Sequence, residues 1–164
     1  MRSLSALILL ALLIAACGQQ SGEQGKKATL KSTIAALKDS MNKAEERQQI
    51  RKHARKLARK AGKFTDTYPK DSMTPEYLYM LGDVHFSYLK NAETALSSLK
   101  ELQDKFPGHE KAPLALFTQG FFYEQLSNTQ KAKQQYQRFL KQYPDHELAE
   151  DVRLSMKNLG QSPS

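Results

Sequence analysis

The chain has 164 residues, with 25 Lys and Arg against 17 Asp and Glu for a formal charge of +8, a single Cys and no Trp. That length suits one ordinary domain rather than two, and a single Cys excludes both a disulfide framework and a multi-cysteine metal cluster. Charged residues at 26% and a mean hydropathy of −0.63 exclude a polytopic membrane protein.

The chain opens Met1-Arg2-Ser3-Leu4-Ser5, runs apolar from Ala6 to Ala16 and stops at Cys17. A basic start, an apolar run of about ten residues and small residues at its end describe an export signal over residues 1–16. The run is too short for a transmembrane helix, which needs about 20 apolar residues. Ile14-Ala15-Ala16-Cys17 resembles a bacterial lipobox. The resemblance implies cleavage before Cys17 and lipid on its thiol and new amino group, which makes Cys17 an acylation site and not a nucleophile or ligand. Gly18 stands where an Asp would, in well-known sorting systems, retain a lipoprotein at the inner membrane, so the resemblance implies the outer membrane; the periplasmic face is expected, with the cell surface as the alternative. Residues 17–27 are rich in Gly, Gln, Ser and Lys and are expected to be a lipidated flexible tether. A helical domain is expected over 28–160 and a disordered tail over 161–164.

Leu30, Ile34, Leu37 and Met41 form one helical stripe, and Ile50, Ala54, Leu57, Ala61 and Phe64 form another. Asp39-Ser40-Met41-Asn42 is the candidate break between them, so residues 28–66 are expected to be a helical hairpin, with one long bent helix as the alternative. The charge concentrates here. Residues 26–70 carry a net +10 and residues 71–164 a net −2. Arg47, Arg51, Arg55, Arg59 and Lys63 recur every four residues beside Lys52, Lys56 and Lys60, giving one helix an apolar face and a cationic face. Such a face is either a solvated surface or a module for anionic lipid or lipopolysaccharide. Nucleic acid is excluded as a partner, because the face lacks interleaved aromatics and an exported protein does not meet it.

Three aromatic–proline pairs follow at a fixed interval: Tyr68-Pro69, Phe106-Pro107 and Tyr143-Pro144, their prolines 38 and 37 residues apart. Gly82 and Gly120 keep the same register, as do Ala95 and Ala132, and His109-Glu110 recurs as His146-Glu147. A period of this size marks a helical solenoid. Each unit holds two helical patterns. The first runs from Pro75 to about Leu89, with Thr74 expected as its N-cap. Asn91 is expected to cap a second, bearing Ala95, Leu96, Leu99 and Leu102. The next unit repeats this over about Lys111–Leu126, with Asn128 as cap before Ala132, Tyr136 and Phe139. A last helix, about Glu147–Leu159 with Leu148, Val152 and Met156 on one face, is expected to cover the end of the array, and Gly160 to stop it.

The run Leu116-x-x-Gln119-Gly120-x-x-Tyr123…Ala132-x-x-x-Tyr136-x-x-Phe139…Pro144 resembles the tetratricopeptide pattern, although Leu116 stands for an aromatic, Gln119 for Leu, and the unit is about three residues longer than is usual. Longer units with this turn resemble periplasmic repeat proteins of the Tol–Pal envelope system and the lipoprotein of the outer-membrane barrel-assembly machine. The chain is shorter than the latter, and that role is not assigned. The ending from Tyr143 to Gly160 is similar to small repeat lipoproteins of the Bacteroidetes. The resemblance implies an all-α solenoid of helical hairpins with a C-terminal capping helix.

In that family the first helix of each unit lines a concave groove. Carried over by position, the groove comprises Glu76, Tyr79, Asp83 and Phe86, then Leu114, Phe117, Phe121 and Glu124. Aromatics flanked by carboxylates suit a peptide with apolar anchors and basic residues; the alternative is that Phe117 and Phe121 are core. No HExxH, CxxC, GxSxG or phosphate-loop pattern occurs. The two His-Glu pairs follow the repeat period and open helices after a turn, where Glu complements the dipole. No catalytic residue, metal or cofactor is expected. The expectation is a non-catalytic adaptor, anchored by lipid and binding an envelope protein or peptide; the alternative is a membrane-surface module built on the basic helix.

Overall fold

The computed structural model describes residues 3–159, with side chains from residue 22 onward. Cys17's side chain, Gly160 and the expected tail lie outside the described residues. Seven helices are described: α1 (Ser3–Asn42), α2 (Arg47–Thr67), α3 (Thr74–Ser87), α4 (Ala92–Lys105), α5 (Lys111–Gln125), α6 (Thr129–Gln142) and α7 (Ala149–Asn158). They pack as hairpins α1–α2, α3–α4 and α5–α6, each against the next, and α7 closes on α6. The all-α solenoid is as expected. The core follows the chain in three successive clusters, around Phe64, Leu99 and Tyr136. Each hairpin buries its apolar face on its neighbours rather than in one shared centre.

Residues 28–66 form the hairpin and not the single bent helix, but the break falls at residues 43–46, one turn later than expected. Met41 is buried in the first cluster, and that burial holds α1 helical through Asn42. Residues 17–27, expected as a flexible tether, have helical backbone within α1. The helix continues outward from the packed stretch through Gln, Glu and Lys, which are good helix formers, and packing against the domain begins at Lys27.

The aromatic–proline pairs build three equivalent turns. A residue before proline is kept out of the helical region, so α2, α4 and α6 each end at the aromatic. Tyr68, Phe106 and Tyr143 share φ between −125° and −134° and ψ between 51° and 59°. Three residues on, Asp71, His109 and His146 each donate their N–H to that aromatic's carbonyl, at 3.0, 3.0 and 3.3 Å. Each then accepts, through Oδ1 or Nδ1, the N–H two residues ahead: Met73 at 2.9 Å, Lys111 at 3.2 Å and Leu148 at 3.1 Å. The histidines thus substitute for a carboxylate in an Asx-type turn. Thr74 is not the N-cap of α3. It is the first helical residue, and its hydroxyl donates instead to the Tyr68 carbonyl at 2.6 Å. Asn91 and Asn128 do cap α4 and α6, accepting from the N–H groups of Thr94 and Lys131. Each follows a residue in the left-handed region, Lys90 or Ser127, which reverses the chain within its hairpin.

Within hairpins the glycines set the spacing. A Cβ on Gly82 would lie 2.7 Å from Leu99 of α4, and one on Gly120 would lie 2.3 Å from the Tyr136 ring of α6. Among the described residues no helix is long and apolar enough to cross a membrane.

Candidate functional site

The first helices of the hairpins share one side of the array, where α3 also touches α5. A cavity of about 440 Å³ opens there between α1, α3 and the start of α5. Ile34, Met80 and Tyr79 make its apolar floor; Glu76, Asp83, Lys38 and Lys111 put two carboxylates and two ammonium groups around it. Lys111 Nζ lies 3.8 Å from Glu76, and the Tyr79 hydroxyl is hydrogen-bonded to Thr118 Oγ1 at 3.2 Å, which ties α3 to α5 across the site.

Of the eight positions expected to line the groove, Glu76, Tyr79 and Asp83 meet at this cavity. The others lie elsewhere along α3 and α5. Phe86 stacks on Phe122, with centroids 3.8 Å apart and planes 3° from parallel, as part of the packing between α3 and α5. Leu114 is half-buried. Phe117 packs toward Tyr136 in the last core cluster, while Phe121 is 44% exposed. Glu124 Oε2 accepts a hydrogen bond from the Tyr136 hydroxyl at 3.0 Å. Burial and that bond to Glu124 push the Tyr136 phenol far above its ordinary range, so it stays a donor. The contribution of α1 to the cavity was not foreseen. Ile34 was legible as an apolar stripe, but the first unit's weak repeat signal gave no register with which to assign groove positions.

The eight cations expected on one face all lie on α2, with Lys60 half-buried and the other seven exposed. The opposite face buries Ala54, Leu57, Ala61 and Phe64. None of the eight forms an ion pair among the described residues. Like charges at i,i+4 cost a helix about 0.2–0.5 kcal/mol per pair, so this face opposes folding slightly on its own. The cations of α1 are differently placed: Lys27 and Lys31 reach Asp71 at 3.2 and 2.8 Å.

No group of three His, Cys, Asp or Glu that could hold a metal is gathered among the described residues. His85, on α3, is half-buried with Nδ1 buried and unpartnered, and burial lowers its pKa below the ordinary histidine value. A depressed folded-state pKa means that stability is lost as pH falls below about 6.5, where the unfolded chain takes up the proton more readily. His85→Phe should therefore raise stability at pH 5.5 by about 1 kcal/mol and flatten the stability profile between pH 5.5 and 7.5. Urea denaturation at the two values checks this; an unchanged slope would assign the acid sensitivity to another group.

No curated protein matches the chain. The family model of the tetratricopeptide repeat matches residues 76–109 and 114–146, which are hairpins α3–α4 and α5–α6 with the turns that follow them. The close approaches at Gly82 and Gly120 and the aromatic–proline turns are the physical content of that match. Two of the chain's hairpins are thus similar to the tetratricopeptide repeat.

Proposed function

We propose that this protein is a non-catalytic adaptor, held to the bacterial outer membrane on its periplasmic side by lipid on Cys17, that binds a peptide segment of an envelope protein in its concave groove. Tetratricopeptide repeats in general bind proteins and peptides, which supports the coarse reading. The observation that carries the finer one is the cavity at Ile34, Tyr79 and Met80. Its apolar floor takes an anchoring side chain, and its mixed charged rim takes the polar flanks. The lipid anchor is supported by the Ile14-Ala15-Ala16-Cys17 motif.

A photo-crosslinker at Tyr79, in the full chain expressed in an envelope-bearing host, should give a discrete protein adduct. Met80→Glu should remove it, and a crosslinker at the exposed Arg138 of α6 should not give it. Equal adducts from both positions would sink the groove reading. The anchor is tested separately by labelled fatty acid, which should enter the wild-type chain and not Cys17→Ser.

A further inference from the structure

We infer that the outer face of α2 is a second interaction surface, which lies flat on a bilayer rich in anionic phospholipid. This goes beyond the groove reading and does not depend on it, since the groove is built by α1, α3 and α5 and the cations stand on α2. Three features carry the inference.

The first is charge without a counter-charge. Arg47, Arg51, Lys52, Arg55, Lys56, Arg59 and Lys63 are exposed, Lys60 is half-buried, and no acidic side chain pairs with any of them among the described residues. Several cations elsewhere on this protein are matched: Lys27 and Lys31 by Asp71, Lys43 by Asp39, Lys105 by Glu101 and Arg153 by Glu150. Others are not, among them Lys131, Lys133, Arg138 and Lys141 of α6, but α2 carries twice as many, with Asp66 as its one acidic residue.

The second is shape. Arg47 and Lys63 are sixteen steps apart, about 24 Å at 1.5 Å per residue, and each four-residue step turns about 40°, so the cations wind across a broad outer face with Arg51, Lys52, Arg55, Lys56 and Arg59 at its middle. Lys52, Arg55, Lys56 and Arg59 surround only a shallow depression. A plane of phosphates meets the five middle cations together.

The third is the absence of anchors for other partners. The large apolar side chains most exposed among the described residues are Phe121, Leu126 and Leu154, none of them on α2. A protein partner is captured chiefly through desolvated aromatic or aliphatic anchors, and a single strand through aromatic stacking. A charged membrane surface needs neither. It attracts basic residues through the summed potential of its headgroups. The antiparallel packing of α1 on α2 also brings Lys26, together with Glu23, beside Lys60 and Lys63, so the surplus there is smaller than at the middle of the face.

The test is vesicle co-sedimentation of the full chain on phosphatidylglycerol–phosphatidylcholine vesicles against pure phosphatidylcholine, at low salt. The apolar N-terminal run is common to every sample, so the charge-dependent difference reports α2. At about fivefold per cation near an anionic surface, Arg51→Gln with Arg55→Gln and Arg59→Gln should lower partitioning onto the anionic vesicles by roughly a hundredfold and leave binding to the neutral ones unchanged. The same three changed to Glu should give a larger loss in the same direction, with unchanged helical circular dichroism. Salt at 0.5 M should abolish the wild-type excess. Binding that ignores vesicle charge, or that survives the reversal, overturns the proposal. So does capture of polyglutamate or duplex DNA at concentrations that leave the anionic vesicles unbound, which would give the face to an acidic protein or a nucleic acid.

Discussion

Gly120→Ala should destabilise this protein by about 2–3 kcal/mol, although alanine is the better helix former by about 1 kcal/mol. The added Cβ would sit 2.3 and 2.5 Å from Cε1 and Cδ1 of Tyr136 and 3.0 Å from Cζ. That ring cannot step aside. It is fully buried in the last core cluster, and its hydroxyl is tied to Glu124 on the same helix as Gly120. Relief must come from α5 and α6 moving apart, which would loosen both helices along their length. Gly82→Ala should be milder, because its new neighbour is the end of the Leu99 side chain at 2.7 Å, with the Ala95 carbonyl at 3.3 Å. Gly62→Ala has nothing within 4 Å and should stabilise by up to about 1 kcal/mol. Urea denaturation of the three variants checks the order. If Gly120→Ala proves as stable as Gly62→Ala, the close approach of α5 and α6 is not what glycine serves there.

Asp71→Ala should cost about 2–3 kcal/mol. Its carboxylate side chain is 9% exposed and accepts from Lys31 at 2.8 Å, from Lys27 at 3.2 Å and from the Met73 N–H at 2.9 Å. One residue therefore clamps α1 to the turn before α3 and organises that turn. Burial works to raise its pKa, but the Lys31 ammonium, the Met73 N–H and the Lys27 ammonium together outweigh burial and hold it below the ordinary carboxylate value. The sign follows. The folded chain releases this proton more readily than the unfolded one, so the stabilisation is present above about pH 4 and is lost as pH falls below it. Asp71→Asn keeps an acceptor for Met73 and loses the charge, so it should fall between wild type and Asp71→Ala. Both variants should lack the acid-dependent component. Lys27→Ala with Lys31→Ala should reproduce most of the loss. An Asp71→Asn protein with a wild-type acid profile would show that the ion pairs contribute nothing.

The second and third hairpins were legible residue by residue because their devices are local. A proline ends a helix wherever it stands, an asparagine caps by reaching its own backbone three residues on, and a glycine marks a close approach at a fixed offset. Those signals recur at 37 and 38 residues, and the helices lie close to where they place them. Thr74 shows where the rule stops. Thr before Pro is a good cap in isolation, but here the cap-like bond within the turn is made by Asp71, and the Thr74 hydroxyl is drawn to the Tyr68 carbonyl instead. The first hairpin was legible only as two apolar stripes, since its turn has neither Gly nor Pro and its end depends on the burial of Met41.

The groove divides in the same way. Its expected side was carried over by position from the family resemblance, and Glu76, Tyr79 and Asp83 line one cavity. Which neighbours complete the cavity depends on packing between helices distant in sequence. Ile34 and Lys38 arrive from α1 and Lys111 from α5, while Phe86 and Phe117 are taken up by contacts with Phe122 and Tyr136. The charge asymmetry shows the contrast most simply. The sequence states that residues 26–70 are strongly basic, and the period of four states that one helix carries a cationic row. That Lys27 and Lys31 are neutralised by Asp71, 44 and 40 residues onward, while the α2 cations have no ion-pair partner among the described residues, is a matter of distance in space. Period and chemistry are written along the chain, because backbone bonds and steric limits act over a few residues. Pairing across the solenoid is not, because it depends on how whole helices settle against one another.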